Sequence, residues 1–199
     1  KKKIKISKEI LAQFKRSIIF ENNDFIVVNK WSHIATQGGS KIKTSIDHII
    51  KNLNEQYRLV HRLDKETSGL LLIAKNLNYA KKLSYLFKQK EITKYYIALC
   101  EGNPKNNYSQ VKLEIKNKKL KIENTLTNYK LLNKNKGISS ILFNPQTGKT
   151  HQLRIVSKNL GCPIVGDNKY NVYSKYTKEN LMLHAFALRF TINTEKFEF

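Results

Sequence analysis

The densest group of residues able to do chemistry occupies positions 61–69, with the sequence HRLDKETSG. Its carboxylate, Asp64, lies between the cations Arg62 and Lys65, which favour the ionised form. An ionised carboxylate can attack an electrophilic carbon or remove a proton. The hydroxyl residues and glycine that follow suit a tight turn. An ion-paired surface loop would have the same composition, so this segment alone leaves both interpretations open.

A second polar cluster, TGKTHQLR, occupies positions 147–154. We predict that Thr150 caps a helix that ends at Gly161, a favourable residue just beyond a helix terminus. On such a helix His151 and Arg154 are three positions apart and share a face, where a phosphate or carboxylate could bind. The alternative is a cap followed by solvated polar residues.

A third segment, KYYIA at positions 94–98, is typical of a strand with two adjacent aromatic residues. In a strand Tyr95 and Tyr96 point to opposite faces, so one can pack in the core while the other lines a cleft. Both could equally be structural aromatics of a sheet.

The elements that position these clusters follow no regular βαβ alternation, which favours the α+β class. The run 70–75 is continuously apolar and therefore predicts a strand buried on both faces. We predict helices from Thr44 to 53, from an Asn78 cap to about 90, and from Thr150. The predicted strands lie at 18–20, 25–29, 58–60, 70–75 and 94–101, three or four more antiparallel ones within 109–143 with a hairpin near Lys118, and a final one at 183–192.

The charge of the chain indicates a polyanionic partner. Lysine and arginine number 37 against 15 aspartates and glutamates, which gives a net charge of +22. Such an excess attracts nucleic acid and sometimes anionic membrane. A lysine- and asparagine-rich composition also results from an AT-rich genome, so charge alone does not decide. Arginine is rare here, and its presence at Arg62 and Arg154, inside two of the clusters, indicates a need for the planar guanidinium.

Several protein classes are disfavoured by what the sequence lacks. No apolar run approaches the roughly 18 residues of a membrane span, and the first ten residues, KKKIKISKEI, have no signal-peptide core. We therefore expect a cytoplasmic protein. Cys100 and Cys162 are far apart and show no zinc-site spacing, so we expect two reduced thiols and no metal site. No glycine-rich phosphate loop is present, and we expect no cofactor.

Taken together, the three clusters resemble the RluA-type family of RNA pseudouridine synthases. Residues 61–69 match its catalytic motif, His-Arg-Leu-Asp-x-x-Thr-Ser-Gly, at every fixed position. Residues 94–102, KYYIALCEG, match its tyrosine strand. Residues 147–154 match its third motif, with Lys149 where arginine is common. Ordered motifs are far more specific than any one of them.

The resemblance extends over almost the whole chain, from about residue 18 to 190. The segments GCPIVGDNKY at 161–170 and LHAFAL at 183–188 are also similar to family segments, in the expected order. The glycine-containing loop at 38–40 is closest to members that modify large-subunit ribosomal RNA. The family fold implied is a mixed, mostly antiparallel central sheet flanked by helices, with two lobes around a basic catalytic cleft.

The resemblance implies a reaction and assigns its residues. The expected reaction isomerises uridine to pseudouridine in structured RNA, with Asp64 as the essential carboxylate. Asp64 either attacks C1′ directly or removes a ribose proton. Arg154 is implied as the cation that pairs with it, and Tyr96 as the cleft tyrosine that stacks on the uracil. Because nothing is oxidised, the reaction needs no cofactor.

The remaining expected site residues would bind the RNA rather than react with it. Arg62 is implied to occupy the space left by a flipped nucleotide. His61 is expected either to contact RNA or to hold its own loop, with the second favoured, and Lys149 and His151 are expected to bind RNA. Leu183 is expected behind the target base or in the core. Lysines that could hold phosphates, or simply line a solvated strand face, are Lys112, Lys116, Lys118, Lys119 and Lys121.

The chain departs from the family pattern after the second predicted strand. The family reads Asn-Lys-Pro-x-Gly, whereas this chain reads NKWSH at 29–33. We expect the change to alter a loop near the cleft without touching a catalytic group. Residues 1–17 are expected to be a basic lead-in and 18–199 the catalytic domain. The start at Lys1, without Met, suggests a fragment that lacks the small upstream RNA-binding domain of many relatives.

Two other functions fit part of the sequence. A non-catalytic RNA-binding or ribosome-assembly protein on the same fold would explain the charge but would not need Asp64, Tyr96 and Arg154 together. A hydrolase could use Asp64 with His61 or His151. A glycosidase would want a second carboxylate, and the only one nearby in sequence is Glu66.

Overall fold

The structure is a computed structural model that describes residues 6–39, 42–116 and 119–199. Helices are interspersed with strands that pair mostly antiparallel, so the predicted α+β class is confirmed. The chain forms two compact units. Unit 1 comprises Lys1–Ile92 and Leu188–Phe199, and unit 2 comprises Thr93–Ala187.

The described residues of unit 1 contain three helices, and the central strand of the unit is β4 (Ser68–Ala74). The apolar run predicted to be buried on both faces forms this strand, in which every residue after Ser68 is buried. β2 (Phe25–Lys30) pairs antiparallel with β4. β1 (Ile18–Glu21) pairs with β2, and β3 (Arg58–Leu59) pairs with β4. The elements of unit 1 in chain order are α1 (Lys8–Ser17), β1 (Ile18–Glu21), β2 (Phe25–Lys30), α2 (Ile46–Leu53), β3 (Arg58–Leu59), β4 (Ser68–Ala74) and α3 (Leu77–Gln89).

Unit 2 is built on consecutive antiparallel hairpins. Three strands occupy the described residues of the segment where three or four were predicted, and each pairs with the next along the chain. The first strand of the unit pairs with the last of these. In the part of this unit that the structure describes, one helix packs its apolar side into the core. The elements are β5 (Thr93–Glu101), β6 (Tyr108–Lys116), β7 (Ile122–Asn135), β8 (Ile138–Pro145) and α4 (Gln152–Asn159).

Two further strands complete the described chain. β9 (Leu183–Ile192) begins in unit 2 and ends in unit 1. β10 (Glu195–Glu198) pairs with it antiparallel. The prediction of β9 as the final strand was therefore wrong, because the short charged segment EKFE gave no strand pattern. The hairpin predicted near Lys118 lies outside the described residues.

Three predicted helix starts were wrong by one or two residues. Ser45, not Thr44, caps α2, and its hydroxyl accepts the His48 N–H at 3.2 Å. Asn76, not Asn78, caps α3. Thr150 precedes α4 in a turn and does not cap it. Each error replaces one polar residue by another nearby, since several side chains of capping type stand at each start.

In the described part of the chain, no helix is both long and apolar enough to cross a membrane.

Candidate active site

Asp64 lies in unit 1, in the loop between β3 and β4, as the sequence predicted. The loop turns immediately after it, with the Thr67 N–H donating to the Asp64 carbonyl oxygen at 3.2 Å. Asp64 is half-buried, whereas Leu63 and Thr67 on either side are buried and Arg62 is exposed. The loop is therefore fixed at its buried positions while Arg62 remains accessible to a polyanion.

Side chains from the segment after β2 hold the backbone on both sides of Asp64. The Thr36 hydroxyl donates to the Leu63 carbonyl oxygen at 2.7 Å and accepts the Leu63 N–H at 3.1 Å. The Ser32 hydroxyl donates to the Glu66 carbonyl oxygen at 2.6 Å. These bonds fix one residue before Asp64 and one shortly after it.

Lys30, the last residue of β2, adds a third attachment from a fully buried position. Burial lowers its pKa to about 8, although the negative charges of Glu66 and Asp64 oppose that shift. A buried ammonium group needs hydrogen-bond acceptors to offset its lost hydration. The acceptors are backbone carbonyl oxygens, those of Trp31 at 3.1 Å, Ile34 at 3.0 Å and Lys65 at 3.3 Å.

Sequence reasoning missed Lys30, Ser32 and Thr36 as supports of the loop. We expected the departure from the family pattern at 29–33 to touch no catalytic group, yet Ser32 lies within it and hydrogen-bonds the backbone of the Asp64 loop. At the position of the family glycine, His33 adopts a φ of 66°. A charged residue ending the apolar strand FIVVNK was the only signal available for Lys30.

His61 makes two contacts that hold its own loop. Its Nε2 accepts the Leu72 N–H of β4 at 2.9 Å. Its ring stacks on Phe87 of α3, with 4.4 Å between centroids and 25° between planes. These contacts support the structural role that the sequence favoured. Contact of His61 with RNA stays a prediction.

In unit 2, Arg154 of α4 forms a buried bidentate ion pair with Asp167. Nε donates to Oδ2 at 2.8 Å and Nη2 donates to Oδ1 at 2.6 Å. Burial alone would raise the pKa of Asp167, but the charge and hydrogen bonds of Arg154, with two backbone N–H groups, hold that pKa below its usual value. Sequence reasoning missed Asp167, although it lies in the segment GCPIVGDNKY that resembled the family.

His151 and Arg154 are brought together by a third side chain, Tyr170. His151 Nδ1 lies 2.9 Å from the Tyr170 hydroxyl, and the Arg154 guanidinium lies over the Tyr170 ring at 5.3 Å. His151 has a left-handed φ of 55° before α4 begins, so the predicted shared helical face was wrong. The neighbourhood predicted for the two residues arises through Tyr170 instead.

The other predicted site residues of unit 2 are Tyr96, Leu183 and Lys149, and they differ in how deeply they are buried and in what they contact. Tyr96 is half-buried and packs against the core cluster of unit 2. Leu183 is 4% exposed and belongs to that cluster. Lys149 forms an ion pair with Glu123 at 3.0 Å. Burial does not separate Tyr96 from Tyr95, because both are half-buried. Their expected functional roles stay predictions.

The remaining predicted groups can be placed briefly. Lys112 and Lys116 are exposed on one face of β6, and Lys119 and Lys121 are also exposed. Cys100 and Cys162 are buried free thiols, and burial raises the pKa of Cys162 to about 11. Among the described residues, no three His, Cys, Asp or Glu side chains cluster closely enough to hold a metal ion.

The family model for RNA pseudouridylate synthase matches residues 24–159 of this chain. The chain belongs to the RNA pseudouridylate synthase family. The match includes the Asp64 loop and the segment that contains Arg154, so the recognition made from the motifs is confirmed. Asp167 and Tyr170 lie beyond the matched region.

Members of the RNA pseudouridylate synthase family include relatives similar over most of the chain. "Ribosomal large subunit pseudouridine synthase C" of Rickettsia prowazekii is 46% identical over 202 residues, covering 92% of this chain. The chain spans 64% of the length of that relative. An "Uncharacterized RNA pseudouridine synthase" of Haemophilus influenzae is 34% identical and is covered over 81% of its length, with 87% of this chain aligned.

A solved structure of the human "RNA Pseudouridylate Synthase Domain Containing 4" shares the fold. The TM-score is 0.84, and the two sequences are 24% identical. The superposition covers 96% of this chain and 89% of the human chain.

Proposed function

We propose that this chain acts as an RNA pseudouridine synthase and isomerises specific uridines of large-subunit ribosomal RNA. The observation that carries the proposal is Asp64 itself, set in the family's catalytic motif on a loop whose backbone is held on both sides. The name of the Rickettsia relative supports ribosomal RNA as the target. Such a target implies a cytoplasmic location.

In the proposed reaction, the N1–C1′ bond breaks, the uracil turns, and a C5–C1′ bond forms. N1 gains a proton and C5 loses one, so atoms and electrons balance without an oxidant or water. Asp64 would either attack C1′ as a nucleophile or remove a ribose proton. Both routes require an ionised, oriented carboxylate, which the fixed backbone of the loop provides.

Arg154 is proposed as the cation that keeps Asp64 ionised and oriented. A guanidinium has five N–H donors, and two of those on Arg154 bond Asp167. Because the pair is bidentate and buried, it fixes the plane of the guanidinium. Asp167 would therefore position Arg154 for its task, as a second carboxylate that does not itself react.

Tyr96 and Arg62 are proposed to handle the target nucleotide. A uridine paired or stacked in folded RNA must leave its stack to reach a carboxylate, so we propose base flipping. Arg62 is exposed beside Asp64 in sequence and could fill the vacated position. Tyr96 would stack on the flipped uracil, and its hydroxyl is proposed to take part in removal of the C5 proton.

The test is direct mapping of the product. Total RNA from a strain lacking this protein is incubated with the wild type, with Asp64→Asn, or with Glu198→Gln. Pseudouridines are then located by carbodiimide-dependent reverse-transcription stops. Glu198 is a matched carboxylate control because its side chain is 64% exposed and forms an ion pair with Arg189 on the surface.

New stops made by the wild type and Glu198→Gln, but not by Asp64→Asn, would support the proposal and name the nucleotide. RNA affinity should be nearly equal for all three proteins. Stops made by Asp64→Asn would remove Asp64 from the mechanism. RNA binding without any stops from the wild type would favour the non-catalytic RNA-binding protein instead.

A further inference from the structure

The segment 168–180 of unit 2 is an exposed stretch rich in aromatic and basic residues. None of its side chains is buried. It follows the buried Asp167 and ends before the buried Leu181. Its aromatic and charged residues are Tyr170, Tyr173, Tyr176, Lys169, Lys175, Lys178 and Glu179.

The segment is anchored, although it is exposed. Asp167 Oδ1 accepts the Tyr170 N–H at 3.0 Å. Farther along, the Glu101 carboxylate at the end of β5 accepts hydrogen bonds from Asn171 and Ser174. The chain on both sides of residues 172–173 is therefore anchored to buried or half-buried carboxylates, through the backbone N–H of Tyr170 and the side chains of Asn171 and Ser174. A side chain presented from this position loses less conformational entropy on binding than one on an unattached loop.

Tyr173 stands between these anchors and is 99% exposed, and its neighbour Val172 is 56% exposed. A tyrosine ring buries about 150–250 Å² when it packs, so leaving one entirely in water forgoes a large contact. Both faces of the Tyr173 ring are open to a flat partner. A nucleic-acid base is such a partner, and stacking on tyrosine is tolerant of base identity.

Lysines accompany the rings along the segment. Lys169 Nζ lies 5.3 Å from the Tyr170 ring centroid, and Lys175 Nζ lies 5.1 Å from that of Tyr176. With Lys178, the segment carries three cations against the single anion of Glu179. Aromatic platforms combined with cations that track a phosphate backbone are how proteins bind single-stranded nucleic acid.

The segment also begins at the candidate site. Tyr170 contacts both His151 and the Arg154 guanidinium. Tyr173 is three residues farther along the chain. An RNA strand that leaves the target nucleotide on this side would meet the exposed ring within a few nucleotides.

We propose that residues 168–180 bind single-stranded RNA beside the target nucleotide, with Tyr173 stacked on an unpaired base and the lysines on phosphates. The proposal rests on the proposed function only in placing this base near a target uridine. A structured RNA that exposes unpaired nucleotides around the target would then bind more tightly than a duplex.

The experiment compares Tyr173→Ala, Tyr173→Phe and Tyr108→Ala in the full chain. Tyr108 is a control because it is also on unit 2 and is 68% exposed, but it lies at the start of β6. Dissociation constants are measured for a single-stranded oligoribonucleotide and for the corresponding duplex. Tyr173→Ala should weaken single-strand binding by about fivefold or more. Tyr173→Phe, which keeps the ring, and Tyr108→Ala should stay near the wild type.

Duplex affinity should be unchanged in all three variants. Unchanged single-strand affinity in Tyr173→Ala would overturn the proposal, as would an equal loss for duplex and single strand. Loss in Tyr173→Phe would show that the hydroxyl, not stacking, matters and would also overturn it. Because binding is measured without turnover, these outcomes decide the role of Tyr173 even where the wild type makes no pseudouridine.

Discussion

The Thr36 hydroxyl forms two hydrogen bonds with the backbone of Leu63, donating to its carbonyl oxygen and accepting its N–H. Both residues are buried, so water cannot replace these bonds. Leu63 directly precedes Asp64. A single hydroxyl therefore fixes the peptide unit from which the proposed catalytic carboxylate projects.

Thr36→Val should lower the turnover number by about tenfold or more, because it keeps the shape of the side chain but releases this backbone. KM for the RNA should change little, since Thr36 is buried. The variant also leaves buried polar groups unpaired, at a cost of about 1–3 kcal/mol in unfolding free energy. Steady-state kinetics and urea unfolding measure the two effects.

Thr36→Ser keeps the hydroxyl and serves as the control. It should restore the turnover number almost fully, even where the lost methyl group reduces stability. Equal turnover numbers in Thr36→Val and the wild type would show that the loop holds Asp64 without this bond.

The ion pair between Arg154 and Asp167 should make the unfolding free energy of the protein fall at acidic pH. Asp167→Asn leaves the Arg154 charge buried without its counterion and should reduce the unfolding free energy by about 3–5 kcal/mol near neutral pH. The pKa of Asp167 is lowered in the folded protein from an ordinary value of 3.8. Its stabilisation is therefore complete above that value and is lost as the pH falls through the lower folded pKa.

Urea unfolding of Asp167→Asn and the wild type, from about pH 7 to about pH 3, checks this prediction. The gap between the two proteins should narrow only at the acidic end. Glu198→Gln removes the carboxylate of an exposed ion pair with Arg189 and should cost no more than about 1 kcal/mol in unfolding free energy. A gap that is constant over the whole range would contradict the assignment of the acid dependence to Asp167.

The buried Lys30 should make the stability of the protein depend on pH in the alkaline range. Burial lowers its pKa from 10.5 to about 8, so between these values the unfolded chain binds more protons than the folded one. Its contribution to the unfolding free energy should then rise with pH through that window, by an amount on the order of 3 kcal/mol.

Lys30→Met, similar in length but not ionisable, isolates this contribution from the other lysines. The difference in unfolding free energy between the wild type and Lys30→Met should grow in favour of the wild type between about pH 8 and about pH 10.5. If the unfolding free energies of the two proteins changed in parallel with pH, the pKa of Lys30 would not be lowered in the folded protein.

The local parts of the fold could be predicted from the sequence, because their signals are local. The apolar run of β4 and the polar loop before it lie side by side in the chain. Long-range partners could not be predicted in this way: Thr36 and Leu63 are 27 positions apart, and Arg154 and Asp167 are 13 apart. The sequence around Thr36 or Asp167 contains no pattern that indicates which distant residue each side chain contacts.

The conformation at His151 shows a second limit. The i, i+3 spacing with Arg154 predicted a shared helical face, but a left-handed residue before α4 breaks that geometry. The two side chains still meet, through Tyr170, whose position depends on the turn after Asp167. His151 and Arg154 are therefore close together, as the spacing predicted, but because both contact Tyr170 and not because they share a helical face.

Gly166, which directly precedes Asp167, should tolerate no side chain. Its φ is +74°, and a Cβ there would lie 2.1 Å from the Asn180 carbonyl oxygen. Gly166→Ala should therefore destabilise the fold by clearly more than the roughly 1–2 kcal/mol of left-handed strain alone. Because the clash involves backbone, the turn that places Asp167 beside Arg154 must shift, and turnover should fall as well.

Two other glycines serve as controls that separate the effect of left-handed backbone strain from the effect of a steric clash. Gly137 has a φ of +79° with nothing within 4 Å of a Cβ, so Gly137→Ala should show the strain alone. Gly148 has neither constraint, and Gly148→Ala should leave stability unchanged or raise it by about 0.4–1 kcal/mol. Unfolding free energies should thus fall in the order Gly148→Ala, Gly137→Ala, Gly166→Ala. Equal losses at Gly166 and Gly137 would mean that the backbone around Asn180 yields without cost, and that the turn does not constrain Asp167.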